Sequence, residues 1–151
     1  MQRPLDLFVS LSPSRQRQLI RTLLLVIAIR LALSTIRFQL VRKIVENVWA
    51  PHRRTPRKLP EINAIITDVS RSVCVCARVV PGATCLTRAL AAGVLLRYEG
   101  LHSTLRIGVA RGAAGDGFRA HAWLECGGRV VIGGEVMADY LPLPPIVNRS
   151  N

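Results

Sequence analysis

Phe118-Arg119-Ala120-His121-Ala122-Trp123-Leu124-Glu125-Cys126-Gly127-Gly128-Arg129-Val130-Val131-Ile132 is two runs of β-forming residues joined by a pair of glycines. In an extended chain the first run puts Phe118, Ala120, Ala122 and Leu124 on one face and Arg119, His121, Trp123 and Glu125 on the other. Glycine tolerates the positive φ that a tight hairpin demands, so Cys126-Gly127-Gly128 reads as the turn and Arg129–Ile132 as the return strand. Just upstream, Thr104–Ala110 also alternates, and Arg111–Gly117 reads as a flexible turn between two strands.

Ahead of Gly100 the apolar period changes from two to three or four. Thr84–Glu99 reads as a helix with Leu86, Leu90, Val94 and Leu95 on one side, closed by Gly100. Glu61–Val80 reads as another, with Ile62, Ile65, Ile66, Val69, Val73 and Cys76 in register and Pro81-Gly82 as its stop. At the front, Ser12 as N-cap and Pro13 at the first helical position open a third. Its Leu19, Ile20, Leu23, Leu24, Ile27, Leu31 and Ile36 keep helical spacing. Pro51–Pro60 holds three prolines and four basic residues and reads as a linker or extended loop. Leu141–Asn151, with three prolines, reads as irregular. Helices followed by an antiparallel sheet define an α+β fold. Its parts are a hydrophobic, basic helical region (1–50), a Pro/Arg-rich linker (51–60) and a folded domain (61–151).

The chain has 151 residues, one ordinary domain with enough apolar sequence for a core. Its net charge of +12 is uneven: residues 1–60 carry 12 Lys/Arg against 2 Asp/Glu, whereas residues 61–151 carry 9 against 7. That surplus suits anionic lipid or an acidic protein. Nucleic acid is disfavoured, because aromatics that stack on bases make up only 5% of the chain. The longest apolar run, Thr22–Ile29, lies between Arg21 and Arg30 and falls short of the ~20 residues a spanning helix needs. The front helix is therefore expected to pack on the protein, on a partner, or along a membrane surface. Met1–Pro13 lacks a secretory pattern, so a cytoplasmic location is expected, with Cys74, Cys76, Cys85 and Cys126 reduced. Their spacing matches no zinc motif, and no cofactor is expected. Cys74 and Cys76 read as small core residues, and His52 and His102 as exposed loop residues.

Two residues stand out for chemistry. Cys85 falls in the first turn of its helix, where unpaired N–H groups and the helix dipole favour a thiolate and can hold an oxyanion. His121, on the strand, is the natural base if the fold brings the two together. A buried core cysteine and a packed histidine are the plain alternatives.

The wording around both residues is more specific. Cys85-Leu86-Thr87-Arg88-Ala89-Leu90, Leu95-Leu96-Arg97-Tyr98-Glu99-Gly100, Leu105-Arg106-Ile107-Gly108-Val109 and Phe118–Glu125 together resemble the lasso peptide biosynthesis B proteins. These are transglutaminase-like, papain-like cysteine peptidases that remove the leader from a lasso precursor. The resemblance covers residues 84–143 and touches the front only loosely. It implies a cytoplasmic leader peptidase with a Cys85–His121 pair and an acidic third member. It also implies three partners: the precursor's leader peptide, a separate small leader-recognition protein and an ATP-using lasso cyclase. A rival from another class is a non-catalytic scaffold that recruits a partner through its basic helical front.

For the third member the choice is Glu135. A three-residue loop at Cys126-Gly127-Gly128 sets Glu125 opposite Arg129 and leaves Glu135 a diagonal neighbour of His121 on the same face. A two-residue loop sends Glu135 to the other face. Glu125, Asp116 and Asp139 are the other acids nearby, and a backbone carbonyl or a water can also orient an imidazole. Trp123 either walls the cleft or simply packs the sheet. Gly133-Gly134 marks a close backbone approach or a bulge.

Overall fold

The computed structural model describes residues 12–37, 40–41, 57–112 and 117–144. Three helices, α1 (Pro13–Thr35), α2 (Leu59–Val79) and α3 (Cys85–Tyr98), precede strands β1 (Ser103–Arg111), β2 (Phe118–Cys126), β3 (Arg129–Ile132) and β4 (Leu141–Pro142). The sheet is antiparallel, in the order β3-β2-β1-β4. This is the α+β arrangement expected from the switch in apolar period.

The helices pack against one another and, mainly through α3, against β2 and β1. Val26 and Ile29 of α1, Val69, Val73 and Cys76 of α2, and Ala89, Leu90, Val94 and Leu96 of α3 share one core with Leu124, Cys126 and Ile132 of the sheet. Fully burying a Leu, Ile or Val is worth roughly 1.5–3 kcal/mol, so this set supplies most of what holds the layers together. Alternation along β2 sends Ala122, Leu124 and Cys126 toward the helices and His121 and Trp123 to the other face.

The boundaries fall close to the sequence reading. α1 opens on Pro13 with Ser12 at its N-cap, as expected, but the Ser12 side chain makes no capping hydrogen bond; its hydroxyl lies 3.1 Å from that of Ser14. α2 begins two residues early, at Leu59-Pro60, because the fixed φ of proline suits a first turn. Residues 51–56 of that segment, His52 among them, and Asp116 lie outside the described residues. α3 ends as a Schellman motif: Gly100 sits at φ +75°, Leu101 N–H donates to Leu96 O at 2.8 Å, and Gly100 N–H to Arg97 O at 2.9 Å. That turn reverses the chain, so β1 runs back along α3. The tail is not wholly irregular. Leu141-Pro142 forms β4 on the outer edge of β1, a position where the missing N–H of proline costs no ladder bond.

Candidate active site

The entry to α3 is tightly specified. Pro81-Gly82 turns the chain, with Gly82 at φ +70°. Thr84 then caps the helix reciprocally: its hydroxyl accepts from Thr87 N–H at 3.3 Å, and the Thr87 hydroxyl accepts from Thr84 N–H at 3.4 Å. Arg88 N–H is taken by Thr84 O. The Cys85 and Leu86 N–H groups at the mouth are left without a partner among the described residues. Cys85 is half-buried. Arg30 of α1 lies against the approach loop; a Cβ on Gly82 would sit 2.8 Å from its guanidinium. Cys85 thus opens the helix, with the Arg30 guanidinium packed on the loop three residues before it.

The other cysteines differ. All four are free thiols. Cys76 and Cys126 are buried, and burial pushes both thiols up from their ordinary range. Cys74 is partly buried against the core, as its reading as a core residue required.

His121 is buried, and three groups fix its ring. Its Nε2 lies 2.8 Å from the Gly133 carbonyl oxygen. Because a carbonyl only accepts, Nε2 carries the proton, and in the neutral ring Nδ1 keeps the lone pair. Trp123 stacks nearly parallel to it at 6.3 Å between centroids, and Tyr140 tilts over it at 5.2 Å. Trp123 is more than packing: its indole N–H donates to Glu125 Oε1 at 3.0 Å, and Glu125 Oε2 accepts from Arg106 at 3.2 Å. Gly108, directly across from His121, makes room for this cluster. A Cβ there would be 2.9 Å from both the Trp123 ring and Tyr140.

The return strand does not follow the three-residue register. Gly127 and Gly128, at φ +57° and +76°, form a two-residue turn that pairs Cys126 with Arg129 and Glu125 with Val130. The register then shifts, so that Leu124 faces Ile132. Ladder pairing stops at Ile132, and Gly133 turns at φ +82°. Glu135 is therefore not a diagonal neighbour on β3. It lies exposed in the turn that follows, and the imidazole is held by the Gly133 carbonyl instead. Asp139 is exposed in the short 3-10 turn Met137–Asp139, and His102 is exposed in its loop.

Topology sets Cys85 and His121 at one end of the helix–sheet pair. Two reversals, at Gly100 and between β1 and β2, make β2 run in the same direction as α3. Gly93 lies against Leu124 and Ser103. Cys85 precedes Gly93 by about 12 Å of helix, and His121 precedes Leu124 by about 10 Å of strand. No hydrogen bond joins the sulfur to the ring, and the ring occupies the sheet face turned away from α3. The two would meet around the end of β2, not across its face.

A groove of about 1050 Å³ opens elsewhere, between α1, α2 and the C-terminal half of α3, lined by Leu25, Ala64, Val69, Val94 and Tyr98 among others. It holds no cysteine or histidine and is separate from the Cys85 mouth. Sequence reading missed Gly108 and Tyr140, and left a backbone carbonyl open as the orienting group without identifying it as that of Gly133. A glycine inside the strand Ile107-Gly108-Val109 was the available sign of close approach.

A family model for the transglutaminase-like superfamily matches residues 23–144, from within α1 to the end of the described sheet. The chain belongs to that superfamily, which includes cysteine proteases and transferases. No curated protein and no solved structure matches the chain.

Proposed function

We propose that the chain is a cysteine peptidase that removes the leader from a ribosomally made lasso precursor. Superfamily membership and the resemblance of residues 84–143 to lasso biosynthesis B proteins support the class. The observation that carries the chemistry is the His121–Gly133 hydrogen bond, which presets one tautomer in a buried ring. In this reading Cys85 is the nucleophile, His121 the base and the Gly133 carbonyl the orienting group that an acid was expected to supply. The leader arrives on a small recognition protein, and the cyclase takes the freed core peptide, all in the cytoplasm.

The steps follow from the groups present. The scheme requires substrate binding to carry the Cys85 thiol around the end of β2 to Nδ1, since the ring occupies the face turned away from α3. The sulfur attacks the scissile carbonyl while Nδ1 takes its proton, and the oxyanion is held by the Cys85 and Leu86 N–H groups. Collapse expels the amine, which takes the proton from the imidazolium. Water, deprotonated by Nδ1, then attacks the thioester, releasing the carboxylate and restoring the thiol.

A mixture of protein, leader-bearing precursor and recognition protein, followed by mass spectrometry, tests the reading. Wild-type protein should yield leader and core as two hydrolysis products, and Cys85→Ala should yield neither while keeping its far-UV spectrum. Cleavage by the alanine variant would remove the nucleophile from the scheme. The scaffold reading draws on the unbonded sulfur and the exposed Glu135. It is separated by a thiol-reactive probe, which labels a peptidase at Cys85 ahead of the other three cysteines.

A further inference from the structure

Helix α1 is apolar on two opposite faces, and the fold uses only one. Thr22, Val26 and Ile29 are buried against the domain. Ile20, Leu24, Ile27 and Leu31, spaced four, three and four apart, stay 37% to 61% exposed. At about 100° per residue these four fall within a stripe about 60° wide, opposite the buried set. The helix has a mean hydropathy of 1.6 over its best window, yet only 17% of that window is buried.

We propose that this stripe seats α1 lengthwise on an anionic lipid surface, a role separate from peptide cleavage. Charge selects the occupant. Pro13–Thr35 contains no Asp or Glu, and residues 1–60 carry 12 basic residues against 2 acidic. Arg17 and Arg21 run along one border of the stripe, and neither meets a carboxylate among the described residues. Basic groups bordering an aliphatic face are what an interfacial helix presents to phospholipid head groups. A protein-binding face would instead centre on Trp, Tyr or Arg, and this stripe is wholly aliphatic. Its inner face is tied to α2 and α3, so α1 lies along the surface and does not cross it.

The test is sedimentation of the full chain with vesicles of phosphatidylcholine and phosphatidylglycerol in equal parts, against phosphatidylcholine alone. The wild type should pellet with the anionic vesicles and be released by salt. Leu24→Glu with Leu31→Glu should weaken partitioning by roughly tenfold or more. Ile20→Ser with Leu31→Ser should weaken it in the same direction, which guards against a misfolded first variant. Arg17→Glu with Arg21→Glu should abolish the preference for anionic over neutral lipid. The proposal is overturned if the wild type stays in solution, or if both stripe variants bind undiminished. It is equally overturned if the free protein is a dimer that the stripe variants dissociate, since a second copy would then cover the face.

Discussion

The Nε2 of His121 stands 2.8 Å from the carbonyl oxygen of Gly133, a glycine at φ +82° whose Cβ, if present, would fall 2.7 Å from Ala122 O and 3.2 Å from that ring nitrogen. One backbone conformation therefore both ends the return strand and sets the imidazole tautomer. Gly133→Ala should cost about 1–3 kcal/mol through the left-handed strain and the clash. Turnover should fall by more than the lost folded fraction explains. Urea denaturation beside single-turnover cleavage measures the two effects separately.

Glu135 provides the sharpest contrast with that carbonyl. It is exposed beyond β3, so Glu135→Gln should leave both melting temperature and turnover unchanged. A large drop in turnover at constant Michaelis constant would restore it as the acidic member.

Gly108 faces His121 across β1 and β2 and leaves no room for a methyl group. Gly108→Ala should destabilise the protein by about 1–3 kcal/mol by overpacking against Trp123 and Tyr140. Tryptophan fluorescence should report the displaced indole. An unshifted spectrum at full stability would show that the cluster yields easily.

The mouth of α3 depends on Thr84. Thr84→Ala removes the cap on Thr87 N–H and should cost about 1 kcal/mol. Labelling of Cys85 by a thiol probe should slow as the first turn frays. Thr84→Ser keeps the acceptor oxygen and should restore the labelling rate.

Two buried thiols give stability a pH dependence at the alkaline end. Burial raises the ionisation range of Cys76 and Cys126 in the folded chain above that of the unfolded chain. Their contribution is complete below the unfolded value. It is lost as pH rises through the folded one, because only the unfolded chain sheds protons early. Urea midpoints should therefore fall on going above the ordinary thiol range, and Cys76→Ala with Cys126→Ala should flatten that decline. Alkylation of the folded protein should reach Cys85 before either of them.

Element order and most boundaries could be read from the chain because they rest on local signals: the change of period at Gly100, the Pro81-Gly82 stop and the Gly127-Gly128 turn. The local settings of Cys85 and His121 were legible for the same reason, since a cysteine opening a helix and a histidine within an alternating strand are properties of short segments. Register was not legible. Whether the hairpin loop held two residues or three depended on Cys126, which either count accommodates, and the shift beside Leu124 leaves no mark in Val130-Val131-Ile132. The group that holds His121 is a main-chain oxygen, and every residue owns one. β4 is two residues long and one of them is a proline, too short to carry any period.

That brief strand has a mechanical consequence. Tyr140 covers the imidazole only because the next two residues are laced to the rim of β1, with Leu143 N–H donating to Ile107 O at 2.8 Å. Few bonds secure this last stretch, so clipping the chain ahead of Tyr140 would unroof the histidine and bare a sheet edge to neighbouring molecules. Fusions and affinity handles are therefore better placed where they exert no pull on residues 140–144.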